Sequence, residues 1–269
     1  MFGKADQAVN RDTAPGAMKA LMAELAPDEQ SGDTHLSTHK GGGREQAQLL
    51  ADYWVPILRG KAEAGELHVY VSPMQRCMQT INPLMQALGL TATIQPLICE
   101  VPGLCHPDDK EFLESHVFSR FRKGDLVGGR AALAAHDFRR CGLTKEEITT
   151  QYGWAADFSD VSDGHFPERA PWYPGCWESQ AATKMRIDGC KTWLFSLAKS
   201  LPEDDIVLCV SHGDTIWKIF AAVLGIDSER VSHGTMNTSL TSFKITAAGE
   251  VMIDFYNRTP HLLRADDDK

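Results

Sequence analysis

Two short segments of this 269-residue chain carry side chains suited to gripping an oxyanion. The first, Ser72-Pro-Met-Gln-Arg76-Cys-Met-Gln-Thr80, follows the apolar run Leu67-His-Val-Tyr-Val71 and places an arginine one turn into what reads as a helix. The second, Ser211-His212-Gly213-Asp214, follows Ile206-Val-Leu-Cys-Val210. If each run is a strand and each following segment opens a helix, Arg76 and His212 stand at strand-to-helix junctions facing one crevice. There a guanidinium holds two phosphoryl oxygens, helix-opening amides such as that of Gly213 gather the rest, and an imidazole adds a ring nitrogen. Phosphate is the natural ligand for such a set. The plain alternatives are a surface salt bridge for Arg76 and a core histidine at a helix entrance for His212.

The elements that position these residues are legible from period and punctuation. From Gly43 to Leu58 the apolar residues Ala47, Leu50, Ala51, Trp54 and Leu58 recur at three- and four-residue steps, as in an amphipathic helix. Leu67–Val71 reads as a strand, and Ser72-Pro73 as a helix start with the hydroxyl as cap. The helix after it carries Met74, Cys77, Met78, Ile81 and Met85 on its apolar face and ends near Gly89, with Pro83 a possible break. Thr91–Gln95 is a further strand. A long helix is expected from Trp177 to Leu201, a strand buried on both faces at Ile206–Val210, and a helix from Asp214 to Leu224. Ser239–Thr246 and Val251–Tyr256, around Gly249, read as an antiparallel pair at a sheet edge.

Strand followed by helix, repeated, predicts an α/β fold: a mostly parallel sheet flanked by helices, as one domain over residues 1–269. Between about 102 and 175 the alternation breaks into short helical pieces, Glu111–Phe121 and Thr144–Tyr152, among loops rich in Pro, Gly, His and Trp. That stretch is expected to form an inserted cap, with Trp172-Tyr-Pro-Gly-Cys-Trp177 as its packing. The first thirty residues read as a surface loop with a short helical run from Gly16 to Leu25, and Asp266-Asp-Asp268 as solvated charge.

Composition narrows the function classes. With 27 Lys+Arg against 36 Asp+Glu the net charge is −9, the opposite of the basic surface that sequence-independent nucleic-acid binding needs. A pocket for a small anion needs only a few well-placed cations, so an anionic substrate remains open. Seven cysteines without a Cys-x-x-Cys pair suggest neither a disulfide framework nor a zinc knuckle, and fit a reducing setting. The longest apolar stretch, Ile216–Ile226, is interrupted by Lys218 and falls short of the roughly 20 residues that span a bilayer. Met1-Phe-Gly-Lys-Ala-Asp6 has no secretory apolar core, so the expected location is cytoplasmic.

The two segments also resemble those of a known family. Ser211-His212-Gly213 is similar to the Ser-His-Gly signature of the histidine phosphatase superfamily, in its phosphoglycerate-mutase-like branch. Ser72 to Thr80 resembles that branch's Ser-x-x-x-Arg-x-x-x-Thr segment. Leu36-Ser-Thr-His-Lys-Gly-Gly-Gly-Arg-Glu-Gln-Ala47 resembles its Leu-Thr-x-x-Gly-x-x-Gln-Ala helix start, and Asn257–Leu262 its terminal Asn-x-x-x-His-Leu; Glu100 falls where the family keeps its acid. The resemblance runs from about residue 7 to 262 and is weakest across the cap.

What it implies is two-step phosphoryl transfer through a phosphohistidine, with no metal and no cofactor. Arg76 would be the phosphate clamp, Glu100 the general acid and base, His212 the second histidine, and Asn10 and Gly213 phosphate contacts. The implied partner is a small phosphorylated substrate or a phosphoprotein, with neither nucleic acid nor membrane. One departure stands out. Gln7-Ala-Val-Asn10 resembles the Gln-Ala-x-Asn that follows the family's nucleophilic Arg-His-Gly, but here the three preceding residues are Lys4-Ala5-Asp6, and the strand before them is reduced to Met1-Phe2-Gly3. The expected function is therefore phosphomonoester hydrolysis, or mutase-like phosphate transfer, impaired by the missing histidine. The alternative is a catalytically silent phosphate-binding or protein-interaction module on the same fold.

Lys4 as a substitute cation, Asp6 as an acyl-phosphate former, and His35 and His39 as replacement nucleophiles are weaker readings than ordinary polar roles. Arg139, Arg140 and Arg169 in the cap could meet a second anionic group, though surface charge is the simpler reading. His106, His136, His165, His233 and His261 read as ordinary histidines, and Cys99 as a buried small residue.

Overall fold

The computed structural model describes residues 42–100, 145–161, 180–228, 230–231 and 235–262. Its first helix, α1 (Gly43–Ala64), buries Ala47, Leu50, Ala51 and Leu58, the stripe seen in the sequence. It runs six residues past Leu58 because Arg-Gly-Lys-Ala-Glu-Ala holds no stop signal until Gly65, whose φ of +76° closes the helix. Strand β1 (Leu67–Val71) buries Leu67, Val69 and Val71 on one face. Helix α2 (Gln75–Leu88) ends at Gly89, φ +66°, and continues through Pro83 without a break. The missing amide costs one intrahelical hydrogen bond, and the buried row Cys77, Met78, Ile81, Leu84 and Met85 holds the helix on the core.

The remaining elements are β2 (Thr93–Ile94) with a 3-10 turn at Pro96–Ile98, α3 (Lys145–Gln151), α4 (Gln180–Ser200), β3 (Ile206–Val210), α5 (Gly213–Leu224), β4 (Leu240–Ile245), β5 (Val251–Arg258) and a 3-10 turn at Pro260–Leu262. Strands β2, β1 and β3 form a parallel sheet in that spatial order. Val71 is level with both Ile94 and Val210, so Ser72, Gln95 and Ser211 leave the sheet together along one edge. Strand alternation divides the core between two faces. Leu67, Val69, Val71 and Leu208 face the cluster of α1 and α2, whereas Tyr70 and Cys209 face Ile187, Cys190, Ile219 and Val223 of α4 and α5. The fold is α/β, with helices on both faces of a parallel sheet.

Several expectations change. Ser72 is not the cap of α2: Met74 takes that position, with no side-chain capping bond, and the Ser72 hydroxyl is engaged elsewhere. The strand expected over Thr91–Gln95 is confined to Thr93–Ile94, because the chain turns at Pro96. Strand β3 is half-buried along its whole length instead of buried on both faces, since among the described residues it pairs only with β1. The antiparallel pair β4–β5 forms a two-stranded sheet of its own, lying against Trp217 and Phe220 of α5. Lys145–Val161, inside the segment expected as a cap, lies in the first core through Ile148, Tyr152 and Ala155, and reaches β2 through the Ile94 amide bonded to the Asp157 carbonyl at 2.8 Å. The helices expected at Gly16–Leu25 and Glu111–Phe121, and the aromatic run at 172–177, lie outside the described residues.

Candidate active site

Arg76, Glu100 and His212 come from three different elements and meet at one atom. Arg76 sits in the first turn of α2, Glu100 follows the 3-10 turn after β2, and His212 caps α5 with extended backbone, φ −116° and ψ 155°. The Arg76 Nη2 lies 3.2 Å from Glu100 Oε2, and His212 Nδ1 lies 3.4 Å from the same oxygen. Two residues 136 positions apart thus share one carboxylate oxygen as their anion. The side chains of Arg76 and Glu100 keep 24% and 30% of their exposure against 2% for His212, so this oxygen is reached from solvent on the arginine side.

The imidazole is locked from behind. Ser72 Oγ is 2.9 Å from His212 Nε2 and accepts the Met74 amide at 3.4 Å, and Cys77 Sγ lies 3.4 Å from the same ring nitrogen. Burial, then the charges of Arg76 and Arg186, push His212 well below its ordinary value of 6.5, so the ring is neutral at pH 7. The Nδ1 edge of the ring thus faces Glu100 Oε2 and the Nε2 edge the Ser72 hydroxyl, an arrangement that suits the tautomer with its proton on Nδ1.

Gly213 is the first residue of α5, where a Cβ would come within 3.1 Å of Thr235 Cβ. Glycine lets Thr235 approach the helix start, and the Thr235 hydroxyl donates to the Gly213 carbonyl at 3.5 Å. The segment bearing Glu100 is held by its carbonyls. Leu97 accepts from Arg186 Nη1 at 2.6 Å and Cys190 Sγ at 3.1 Å, Ile98 from Ser211 Oγ at 2.7 Å, Cys99 from Arg186 Nη1 at 2.9 Å and Thr215 Oγ1 at 2.8 Å, and Glu100 from Arg186 Nη2 at 3.1 Å.

A family model describing the histidine phosphatase superfamily (branch 1) matches residues 28–104 and 136–258, most of the chain. The chain belongs to the histidine phosphatase superfamily. Membership carries a phosphatase-type function at the coarse level. The matched span holds Arg76, Glu100, His212 and Gly213 and begins after Gln7–Asn10. Among solved structures, a mycobacterial glucosyl-3-phosphoglycerate phosphatase is similar at 20% identity and a TM-score of 0.42, covering 84% of this chain and 88% of that one. A phosphoserine phosphatase from Entamoeba histolytica with 3-phosphoglyceric acid is 19% identical with a TM-score of 0.45, over 86% and 88% of the two chains. An alpha-ribazole phosphatase from Shigella flexneri is 16% identical with a TM-score of 0.45, over 82% and 84%. No curated protein matches the chain.

Of the residues singled out in the sequence, Arg76, Glu100, His212 and Gly213 are brought together, whereas Asn10, Lys4, Asp6, His35, His39, His106, His136, His165, His233, Arg139, Arg140 and Arg169 lie outside the described residues. His261 is buried and reaches Thr238 Oγ1 at 3.0 Å, a position in the wall of the fold. Asn257, φ +55°, accepts the Met236 amide at 2.8 Å, so this part of the Asn-x-x-x-His-Leu stretch shapes the strand end. Cys99 is buried, as expected. Among the described residues no helix is long and apolar enough to cross a membrane, and no group of three His, Cys, Asp or Glu forms a metal cluster. Sequence reasoning missed Arg186, which stands in no motif, and the ring-locking role of Ser72. Thr215 had a signal in its place one turn after His212.

Proposed function

We propose that this protein hydrolyses phosphomonoesters, with Arg76 as phosphate clamp, His212 as neutral donor to a non-bridging oxygen, and Glu100 as proton donor to the leaving oxygen. The observation that carries the reading is the convergence of Arg76 and His212 on Glu100 Oε2, at 3.2 and 3.4 Å. A guanidinium and an Nδ1–H that already share one carboxylate oxygen suit a phosphoryl oxygen in the same place, with Gly213 at the helix start beside it. A protonated Glu100 gives its proton to the ester oxygen as the phosphorus–oxygen bond breaks, a water oxygen bonds to phosphorus in its place, and the proton that this water loses returns to the Glu100 carboxylate. The net change is ester plus water to alcohol plus phosphate. Phosphoryl transfer rests mainly on such positioning and charge stabilisation. The substrate class is a small phosphorylated molecule or a phosphoprotein, and the parts of the 102–175 segment on either side of the core-bound Lys145–Val161 would select it.

A second reading, phosphate binding without turnover, is favoured by one observation: Lys4-Ala5-Asp6 stands where the family resemblance calls for Arg-His-Gly, and none of Arg76, Glu100 and His212 is a nucleophile in the first reading. Turnover of an aryl phosphate at mildly acidic pH, together with calorimetric binding of orthovanadate, separates the two. Turnover abolished by His212→Ala supports hydrolysis. Vanadate binding without turnover supports the silent reading, and neither binding nor turnover rejects both.

A further inference from the structure

We infer that Arg186 is a positioning residue for Glu100: through the carbonyls of Leu97, Cys99 and Glu100 itself it fixes where the carboxyl group stands relative to His212. This rests on the reading of Glu100 as proton donor. Strand β2 is two residues long, so after Pro96 the chain has left the sheet and its carbonyls need partners from elsewhere. Side chains supply them at four consecutive residues, 97 to 100, and one guanidinium makes three of these six bonds. A planar fork reaches the carbonyls of Leu97, Cys99 and Glu100 from two nitrogens in fixed relation, whereas an ammonium group presents its three donors from a single freely rotating atom. Of the other anchors, Ser211 and Thr215 flank His212, whereas Cys190 shares α4 with Arg186. The segment is therefore referenced to the histidine through Ser211 and Thr215 and to α4 through Arg186 and Cys190, Arg186 being the one of these four that bonds the Glu100 carbonyl itself. The same arginine is one of the charges that keep the His212 ring neutral.

The test compares wild type with Arg186→Gln and Arg186→Lys, each confirmed as folded by its thermal transition. Two readouts are taken: the ring nitrogen shifts of His212, and the rates on an alkyl phosphate and on an activated aryl phosphate. Protonating the leaving oxygen matters for the alkyl ester and little for the aryl one, and general-acid effects run to about 100-fold or more. Expected are a loss of about tenfold to 100-fold on the alkyl phosphate, under about threefold on the aryl phosphate, and an Nδ1–H signature that gives way to exchange between tautomers. Equal losses on both esters with an unchanged His212 signature would overturn the inference. If wild type turns over neither ester, the hydrolase reading fails, and the nitrogen shifts alone decide: unchanged shifts in Arg186→Gln overturn the positioning role. Should Arg186→Gln not fold, Arg186→Lys, which keeps the charge but not the fork, carries the comparison.

Discussion

The face of the parallel sheet under α1 and α2 and the edge where its strands end are built from opposite materials. Under the helices, Val69, Val71, Met78, Ile81 and Met85 are buried among apolar neighbours, and the backbone is satisfied by helix and strand ladders. At the strand ends, carbonyls and a histidine are held by side chains: Ser72 on the imidazole, and Arg186, Ser211 and Thr215 on the Glu100 segment. The first region is stabilised by burial and is indifferent to charge. The second gives up ladder bonds and apolar burial to hold ionic groups in one geometry. The difference teaches that stability and chemistry are separable here by substitution.

The largest effect expected at the strand ends comes from Arg76→Ala. Removing a principal donor to a developing charge costs about 100- to 1,000-fold, and kcat/KM on an aryl phosphate or the vanadate affinity reads it. The same change should alter stability by less than about 1 kcal/mol, because the ion pair with Glu100 is partly exposed. The opposite pattern is expected under the helices. Met78→Ala should cost about 2–5 kcal/mol in denaturant unfolding while leaving kcat/KM per folded molecule unchanged. If Met78→Ala lowers kcat/KM as strongly as it lowers stability, the two regions are not separable.

How much of this comparison was legible in the sequence differs between its halves. Strand β1 and helices α1, α2 and α5 stood out because period and glycine stops are local properties. The meeting of Arg76 and His212 was also legible, since each sits at a strand-to-helix junction and exits of a parallel sheet share an edge, whereas Glu100 entered only through the family resemblance. Arg186 was not, because its role depends on which carbonyls α4 faces, and nothing in Thr-Lys-Met-Arg-Ile encodes that. The half-burial of β3 was hidden for a related reason: an apolar run reports what a strand would bury, whereas the neighbours present decide what it does bury.

A pH titration of stability sharpens the comparison at smaller amplitude. The folded pKa of His212 lies below the unfolded 6.5, burial being the first cause, so the unfolded chain binds more protons between the two values. The contribution is complete above about pH 6.5 and is lost as pH falls toward the folded value. His261, lowered by burial alone, adds in the same direction. Denaturant midpoints should therefore fall below pH 6.5 in wild type and fall less in His212→Asn; identical pH profiles would place the effect elsewhere. The smallest effect is expected far from both regions. Removing the exposed Lys184–Asp188 pair on α4 should change stability by under about 0.5 kcal/mol and leave vanadate affinity untouched.

The central claim, that Arg76 and His212 act on a single anion, is tested most directly by a double-mutant cycle on orthovanadate affinity with Arg76→Ala, His212→Ala and the double variant. Groups in one network are non-additive, whereas independent sites add. The predicted result is a double variant that binds little worse than the weaker single one. A double variant whose loss equals the sum of the two single losses would show that the guanidinium and the imidazole hold nothing in common, and would contradict the account.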